Sequence, residues 1–377
     1  MDIDLFAGAG GLAIGLKRAG FAPAALYEQD KFACQTLRRN ITSDTPTLRG
    51  SVEEIDVAEV KWQSADTQPI RLLAAGAPCQ PFSLGGKHLA EQDGRNLFPE
   101  IFRALRALQP KAVLLENVRG LARPSFRPYF DYILRQLRFP SIKPKHDELW
   151  QEHNARIIAQ ESAARHEPEY QVSWAPLDAA DFGVPQNRLR VFIVGTRLGL
   201  PAYHFPKRTH SKGALLRELS TGAYWERHGL KKPKNGLVEA PPGENATLPW
   251  KTVRDALSDL PTPSDTQDEA VMNHWTVLGA RTYVGHEGSR LDWPSKTIKA
   301  GVHGVPGGEN VLVDDNGGLR YYTLRETARL QTFPDEHHFE GARLHATRQI
   351  GNAVPCDLAE AVGAPLFKLL RHKERAR

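Results

Sequence analysis

The chain has 377 residues, of which 41% are hydrophobic, and a formal net charge of +5. These values favour one large domain with a second, smaller one, and the excess of positive charge is compatible with a polyanionic partner. No apolar run reaches membrane-span length and no amino-terminal stretch has signal-peptide form, so a cytoplasmic location is expected. The three cysteines, Cys34, Cys79 and Cys356, are widely spaced. This spacing argues against a disulfide scaffold and against a metal site of the zinc type.

The first half of the chain alternates short apolar runs with helical stretches. This alternation over residues 1–198 is typical of a doubly wound, mostly parallel α/β sheet. The predicted strands cover residues 3–6, 24–27, 72–75, 113–115 and 191–194. Residues 143–170 interrupt the alternation with a charged, helix-permissive span, which predicts a surface helix that buries one face.

The composition of the sequence changes after Gly199, where Pro and Gly become frequent. A hairpin is predicted over residues 310–323, because two short β-prone runs flank Asp-Asn-Gly-Gly. Helices are predicted at 324–331 and 357–370. The predicted division is therefore a catalytic and cofactor-binding domain at 1–198, a second domain at 199–345, and a return to the first domain at 346–377.

A glycine-rich turn follows the first predicted strand. Gly8, Gly10 and Ala13 satisfy the dinucleotide pattern Gly-x-Gly-x-x-Gly/Ala. Glu28 ends the second strand, where an acidic side chain can accept from ribose hydroxyls. Nicotinamide and flavin enzymes share these features, so the loop indicates an adenosine-type ligand without choosing one. The alternative is a tight turn that needs no ligand.

A cysteine and a carboxylate follow two other predicted strands. Cys79 stands on a turn bracketed by Pro78 and Pro81, and Glu116 follows an apolar run. A free thiol has a pKa of about 8.5, and its thiolate is a strong nucleophile. Glu116 could keep a raised pKa at the edge of an apolar wall and act as an acid. The alternatives are a buried structural cysteine and a carboxylate at a helix start.

Two arginines precede the last strand of this half. Alternation along an extended chain would place Gln186, Arg188 and Arg190 on one face. Guanidinium groups converging there would meet carboxylates, phosphates or the polar edge of a substrate. A structural salt-bridge network is the competing interpretation.

Six ordered segments of this chain closely resemble the motifs of the DNA (cytosine-5)-methyltransferases. The likeness covers about residues 1–138, 171–198 and 320–363. The segments that carry it are Asp4–Gly11, Pro78–Ser83, Glu116–Val118, Gln186–Arg190, Arg325–Pro334 and Gly351–Pro355.

The resemblance implies S-adenosyl-L-methionine as methyl donor, bound on a Rossmann-like fold. In this interpretation Glu28 takes the ribose hydroxyls. Two positions depart from the family pattern: Gln29 replaces an aromatic or bulky residue, and Ser51 replaces an Asp that accepts from the adenine amino group. The other cofactor-binding candidates are Phe6, Ala9, Gly11, Val52, Pro78, Leu97, Asn352 and Ala353.

The resemblance also implies the roles of the reacting residues. Cys79 would attack carbon 6 of cytosine while Glu116 hydrogen-bonds or protonates ring nitrogen 3. Arg190 would hold the cytosine carbonyl oxygen, with Arg188 supporting the site. The base must be flipped out of the duplex for this chemistry.

The remaining candidates concern DNA. A loop with Ser83, Lys87 and Arg95 is similar to the family's mobile loop and could clamp phosphates. Residues 200–240 are basic with interleaved aromatics, which favours target recognition by the second domain over a merely solvated surface. The expected partners are double-stranded DNA and a functionally paired restriction endonuclease, with the chain itself a monomer.

Three other functions stay open at this point. A tRNA cytosine methyltransferase could use the same motifs. A non-catalytic DNA-binding relative would not need Cys79, Glu116 and Arg190 together. A nicotinamide-dependent oxidoreductase would leave the pair of Cys79 and Glu116 without a role.

Overall fold

The computed structural model describes residues 1–44, 47–62, 69–78, 96–233, 246–264, 271–282, 284, 286–301 and 310–372. The contacts divide the chain into two compact units. The first comprises Met1–Leu177, Leu189–Phe205 and Val362–Arg377, and the second comprises Asp178–Arg188 and Pro206–Ala361. The predicted division differs from this at three places: 178–188 belongs to the second unit, 199–205 belongs to the first, and the return to the first begins at Val362 rather than at 346.

The first unit is built on one seven-stranded sheet in the order β3-β2-β1-β4-β5-β7-β6. The pairs β1·β2, β2·β3, β1·β4 and β4·β5 are parallel, whereas β7 runs antiparallel to β5. The predicted doubly wound, mostly parallel sheet is confirmed. The chain order reverses between β1 and β4, which is where such sheets bind their ligands. The strands are β1 Asp2–Leu5, β2 Pro23–Glu28, β3 Ser51–Glu54, β4 Leu72–Gly76, β5 Ala112–Val118, β6 Tyr170–Asp178 and β7 Leu189–Arg197.

Helices cover the strands because their apolar faces complete one core. Leu5, Leu73 and Val113 from the sheet pack with Phe102 and Phe130 from two of these helices. Removing such large apolar side chains from water is the main favourable contribution to folding. The helices are α1 Gly11–Arg18, α2 Lys31–Thr42, α3 Phe98–Leu108, α4 Arg127–Arg138 and α5 Trp150–Ser162, and the later part of α11, Cys356–His372, returns to this unit.

The predicted surface helix is α5, and it does bury one face. Ile157 and His153 are fully buried, whereas Leu149 and Ile158 are exposed. The His153 ring bonds the hydroxyl of Tyr132 on α4 at 2.9 Å and the carbonyl of Ile142 at 2.9 Å. Burial lowers the pKa of His153, so this pairing joins α5 to α4 through a neutral imidazole.

The second unit has short strands and helices around smaller clusters. Leu215, Leu219 and Tyr224 form one cluster, with Trp225, Trp250 and Trp293 packed on it. The predicted hairpin is present, since Val311–Val313 pairs antiparallel with Leu319–Tyr321. The elements are β8 His210–Ser211, β9 Leu248–Pro249, β10 Ser289–Arg290, β11 Val311–Val313, β12 Leu319–Tyr321, α6 Lys212–Thr221, α7 Ala223–Arg227, α8 Val253–Leu257, α9 Leu324–Leu330 and α10 Arg343–Asn352.

Both predicted helices near the carboxyl end are confirmed, as α9 and α11. Within the residues that the structure describes, no helix is both long enough and apolar enough to span a bilayer.

Candidate active site at the carboxyl edge of the sheet

The glycine-rich turn after β1 is held by a carboxylate from the end of β2. Glu28 accepts from the backbone amides of Gly8 at 2.8 Å, Gln29 at 2.9 Å and Asp30 at 2.8 Å. Burial raises the pKa of Glu28, although these amides oppose the rise. A carboxylate offers about four acceptor sites, so Glu28 has capacity for one more donor.

The backbone of this turn is constrained. Phe6 has φ 58°, a left-handed conformation that is uncommon for an aromatic residue. At Gly10, φ is 89°, and an added Cβ would lie 2.7 Å from the Leu48 side chain. By contrast, no heavy atom of the described residues lies within 4 Å of a Cβ added at Gly8. Backbone strain of this kind is found most often at functional sites. Beside Gly8 the described residues leave open space.

Asp4, in β1, is a buried acid that the sequence did not single out. Its side chain is 1% exposed, and neither carboxyl oxygen has a hydrogen-bond partner among the residues that the structure describes. Burial, reinforced by the charge of Glu28, raises the pKa of Asp4 to about 8. Uncompensated buried carboxyls are costly, so this one calls for a functional explanation.

The pairing of β3 corrects one predicted part of the site. Ser51 pairs with Ala25, and Glu54 pairs with Glu28. Ser51 and Val52 therefore lie in the first half of β3, away from its carboxyl end. The carboxyl end leads to Asp56, whose side chain accepts from the amide of Ala58 at 2.9 Å.

β4 and β5 bring two further motifs to this edge. Asn117, in β5, donates through Nδ2 to the carbonyl of Ala77 at 3.3 Å, which fixes the chain just before Pro78. Pro78 and Leu97 are half-buried, and Leu97 is the residue that precedes α3. The candidates Cys79, Ser83, Lys87 and Arg95 lie outside the described residues.

Glu116 forms an ion pair with Arg190. Arg190 Nε lies 2.9 Å from Glu116 Oε1, and the two side chains are 12% and 9% exposed. The register explains the contact, because Val118 is opposite Arg190 and Glu116 is its diagonal neighbour on the same face. Such diagonal neighbours are within reach of a long side chain. The structure thus brings together two of the predicted catalytic residues.

Arg188 does not share that face, and the predicted convergence of Gln186, Arg188 and Arg190 is wrong. Strand β7 begins only at Leu189, so the alternation does not extend back to Gln186. The Arg188 side chain is 1% exposed and binds backbone carbonyls within the second unit. Gln186 is likewise fully buried in that unit.

The remaining cofactor candidates lie on separate elements. Ala9 and Gly11 belong to the turn before α1 and to its first residue, both buried, while the Gln29 side chain is exposed. Asn352 ends α10 of the second unit and is exposed, and Ala353 follows it. Sequence reasoning quoted Asp4 and Asn117 within motifs but gave no role to either, and it did not name Asp56. Their positions directly within or after strands were the available signal.

Comparisons with known proteins identify the family of the chain. The family model described as C-5 cytosine-specific DNA methylase matches residues 1–140 and 147–368. The Type II methyltransferase M.NgoMIV of Neisseria gonorrhoeae is 32% identical, covering 98% of each chain. M.Eco47II of Escherichia coli, also a Type II methyltransferase, is 33% identical over 98% of this chain and 79% of its own length.

Among solved structures, the Dnmt2 methyltransferase of S. pombe matches with a TM-score of 0.56 at 16% identity, covering 97% of both chains. This likeness supports the fold. The match of the family model over most of the chain confirms the resemblance carried by the six motifs. The chain therefore belongs to the C-5 cytosine-specific DNA methylase family.

Proposed function

We propose that this chain transfers a methyl group from S-adenosyl-L-methionine to carbon 5 of a flipped-out cytosine in a short duplex DNA sequence, with Cys79 as nucleophile. The observation that carries the proposal is the ion pair of Glu116 and Arg190 at the carboxyl edge of the sheet. The glycine turn lies at the same edge. Strand β4 also ends there, at Gly76, two residues before Pro78.

The residues near the turn fit a cationic, adenosine-containing cofactor. Asp4 and Glu28 place two carboxyl groups beside a glycine turn with open space at Gly8. S-adenosyl-L-methionine, when bound, supplies an electrophilic methyl group on a positively charged sulfur. A cation near Asp4 would favour its ionised form and relieve the cost of burying it. Glu28 has one acceptor site left for a ribose hydroxyl.

Asp56 is the better candidate for the acceptor that the resemblance assigned to Ser51. The amide of Ile55 donates to the carbonyl of Glu28 at 2.9 Å, which brings the end of β3 beside the end of β2. A carboxylate at this point can accept from an exocyclic amine, whereas Ser51 is bonded to the carbonyl of Ala24 at 3.3 Å.

The two side chains give a matched test of this assignment. Asp56→Asn is expected to raise the dissociation constant for S-adenosyl-L-methionine about tenfold or more, the worth of a hydrogen bond to a charged group. Ser51→Ala, at the start of β3, is expected to leave it within about twofold. Isothermal titration calorimetry measures both. The reverse ranking of the two variants would restore Ser51 to the site.

Cys79, Glu116 and Arg190 have separate roles in the proposed reaction. The Cys79 thiolate adds to carbon 6, and the electron pair it displaces makes carbon 5 nucleophilic. Glu116 in its protonated form donates its proton to ring nitrogen 3 and so neutralises this charge. Arg190 orients the Glu116 carboxyl while its remaining donors face the cytosine carbonyl oxygen. After methyl transfer, a base removes the carbon 5 proton and the Cys79 sulfur leaves.

Trapping the covalent step tests the proposal directly. Duplex DNA with 5-fluorocytosine at the target should give a denaturation-resistant complex in the presence of S-adenosyl-L-methionine, because fluorine at carbon 5 cannot leave as a proton. Cys79→Ser should give none, while still binding DNA in a mobility-shift assay. Methylation of ordinary DNA by the wild-type chain without any adduct on fluorinated DNA would overturn the role of Cys79.

The sequence similarity to Type II methyltransferases leads us to propose that the modification protects host DNA from a paired restriction endonuclease. Bisulfite sequencing of DNA from cells that express the chain should show one short modified motif. Unmodified DNA together with methylated tRNA would contradict the DNA substrate.

A further inference from the structure

The carboxyl end of α10 is capped by two buried side chains from distant parts of the sequence. Arg188 Nη2 donates to the carbonyls of Gly351 at 2.7 Å and Ala353 at 2.9 Å. Gln331 Nε2 donates to the carbonyl of Ile350 at 2.7 Å. The last carbonyls of a helix lack partners within the helix, and a cation there also complements the helix dipole. Residues 350–353, the α10 turn, therefore take their shape from Arg188 and Gln331.

The surroundings hold this cap rigidly. Gln186 bonds Gln331 Oε1 at 3.0 Å and accepts from the amide of Ile298 at 2.9 Å, and Arg188 Nη1 donates to the Ile298 carbonyl at 3.0 Å. A Cβ on Gly351 would lie 2.4 Å from the backbone nitrogen of Ala300, so the backbones touch. Packed, buried hydrogen-bond networks of this kind favour one conformation.

Residues 331 and 332 also hold the chain that follows the α10 turn. The amide of Cys356 donates to the Gln331 carbonyl at 3.2 Å, and that of Asp357 donates to Thr332 Oγ1 at 2.9 Å. Thr332 has φ 58°, which is rare for a β-branched residue and marks a conformation imposed by its neighbours. Both flanks of the α10 turn are thus anchored on residues 331–332.

Asn352 is exposed, unlike its neighbours in the α10 turn. Gly351 and residues 354–356 are buried, and Ala353 is half-buried. The cap satisfies the flanking carbonyls internally, so the Asn352 side chain is the polar group that the turn presents to a ligand.

We propose that Arg188 and Gln331 are positioning residues that preorganise Asn352 and Ala353 for the cofactor, and that Arg188 makes no contact with the target base. The inference rests on the proposed function in that it takes S-adenosyl-L-methionine as the ligand of the α10 turn. Preorganisation of this kind lowers the cost of binding, because the turn is already ordered before the ligand arrives.

Calorimetric titration of S-adenosyl-L-methionine into variants of the full chain tests the inference. Arg188→Lys, Gln331→Met and Asn352→Ala should each raise the dissociation constant about tenfold or more. Arg197→Lys serves as the control and should leave the dissociation constant unchanged. Arg197 is an exposed arginine at the end of β7 that bonds the carbonyl of Gln109. The affinity of each cofactor-free variant for the target duplex should stay within about twofold of the wild-type affinity.

Hydrogen exchange of amides 350–357 provides a readout that needs no ligand. Arg188→Lys and Gln331→Met should speed exchange there and leave the β1–β4–β5 amides unchanged, whereas Asn352→Ala should not. Unchanged cofactor affinity and exchange in Arg188→Lys, or a selective loss of DNA affinity, would overturn the inference. If the wild-type chain binds no S-adenosyl-L-methionine, the proposed cofactor fails, while exchange still decides whether Arg188 shapes the turn.

Discussion

Glu116→Gln is expected to lower kcat by about 10²- to 10⁴-fold, the range for a positioned acid–base group. The amide keeps the shape of the carboxyl but loses its charge and its ability to exchange a proton with ring nitrogen 3. It also removes the ion pair with Arg190, so the guanidinium loses the group that orients it. Single-turnover methylation of a duplex with excess enzyme measures the effect on the chemical step.

A double-mutant cycle with Arg190→Met shows whether the two residues act together. Because their side chains are 2.9 Å apart, the double variant should be little worse than the poorer single variant. The dissociation constant for S-adenosyl-L-methionine should stay within about twofold throughout, which controls for the integrity of the fold. Additive losses in kcat would mean that Glu116 and Arg190 serve separate steps.

Asp4→Asn is expected to stabilise the ligand-free protein at neutral and alkaline pH. Below the ordinary pKa of 3.8 the carboxyl is protonated in both the folded and unfolded states and contributes nothing. Between that value and about 8 the unfolded chain releases the proton while the folded protein keeps it, so stability falls as pH rises. The difference between these two pKa values corresponds to a loss of folding stability on the order of 5 kcal/mol by pH 8.

Thermal unfolding across pH 4 to 8 tests this prediction. The variant should unfold at a higher temperature than wild type at pH 8 and at about the same temperature at pH 4. Asp2→Asn is the matched control on the same face of β1: Asp2 pairs with Arg71 at 2.9 Å, so its loss should destabilise. A pH-independent difference between Asp4→Asn and wild type would show that Asp4 ionises normally.

The same substitution should weaken cofactor binding. An amide cannot match the attraction of a carboxylate for a cation, so the dissociation constant for S-adenosyl-L-methionine should rise about tenfold or more. Stability gained at the expense of binding is the expected trade-off at a functional site. Unchanged cofactor affinity in Asp4→Asn would place Asp4 outside the binding site.

The positions of five strands and of the glycine turn could be predicted because apolar runs and turn residues mark them locally in the sequence, whereas β3 and β6 were not predicted. The acceptor that we propose at the end of β3 could not be predicted, since Ser51 and Asp56 are distinguished only by how β3 pairs with β2. The burial of Asp4 with no hydrogen-bond partner in the described part of the chain is a tertiary property that its neighbours in sequence do not reveal.

Arg188 and Arg190 show the limit of periodicity most clearly. An alternating pattern predicts one face only where the chain is a continuous strand. Here the strand starts between the two arginines, at Leu189. One guanidinium therefore enters the first unit beside Glu116, and the other caps a helix in the second unit.

The reversed direction of β7 limits how this region can be altered. In a parallel strand the first residues would lie at the opposite edge of the sheet, but β7 enters at the edge where β5 ends. Its pairing places Arg190 opposite Val118, so deleting or inserting one residue just before Arg190 would turn that side chain to the other face. We expect natural length variation to be tolerated in other loops and to be absent between Arg188 and Arg190.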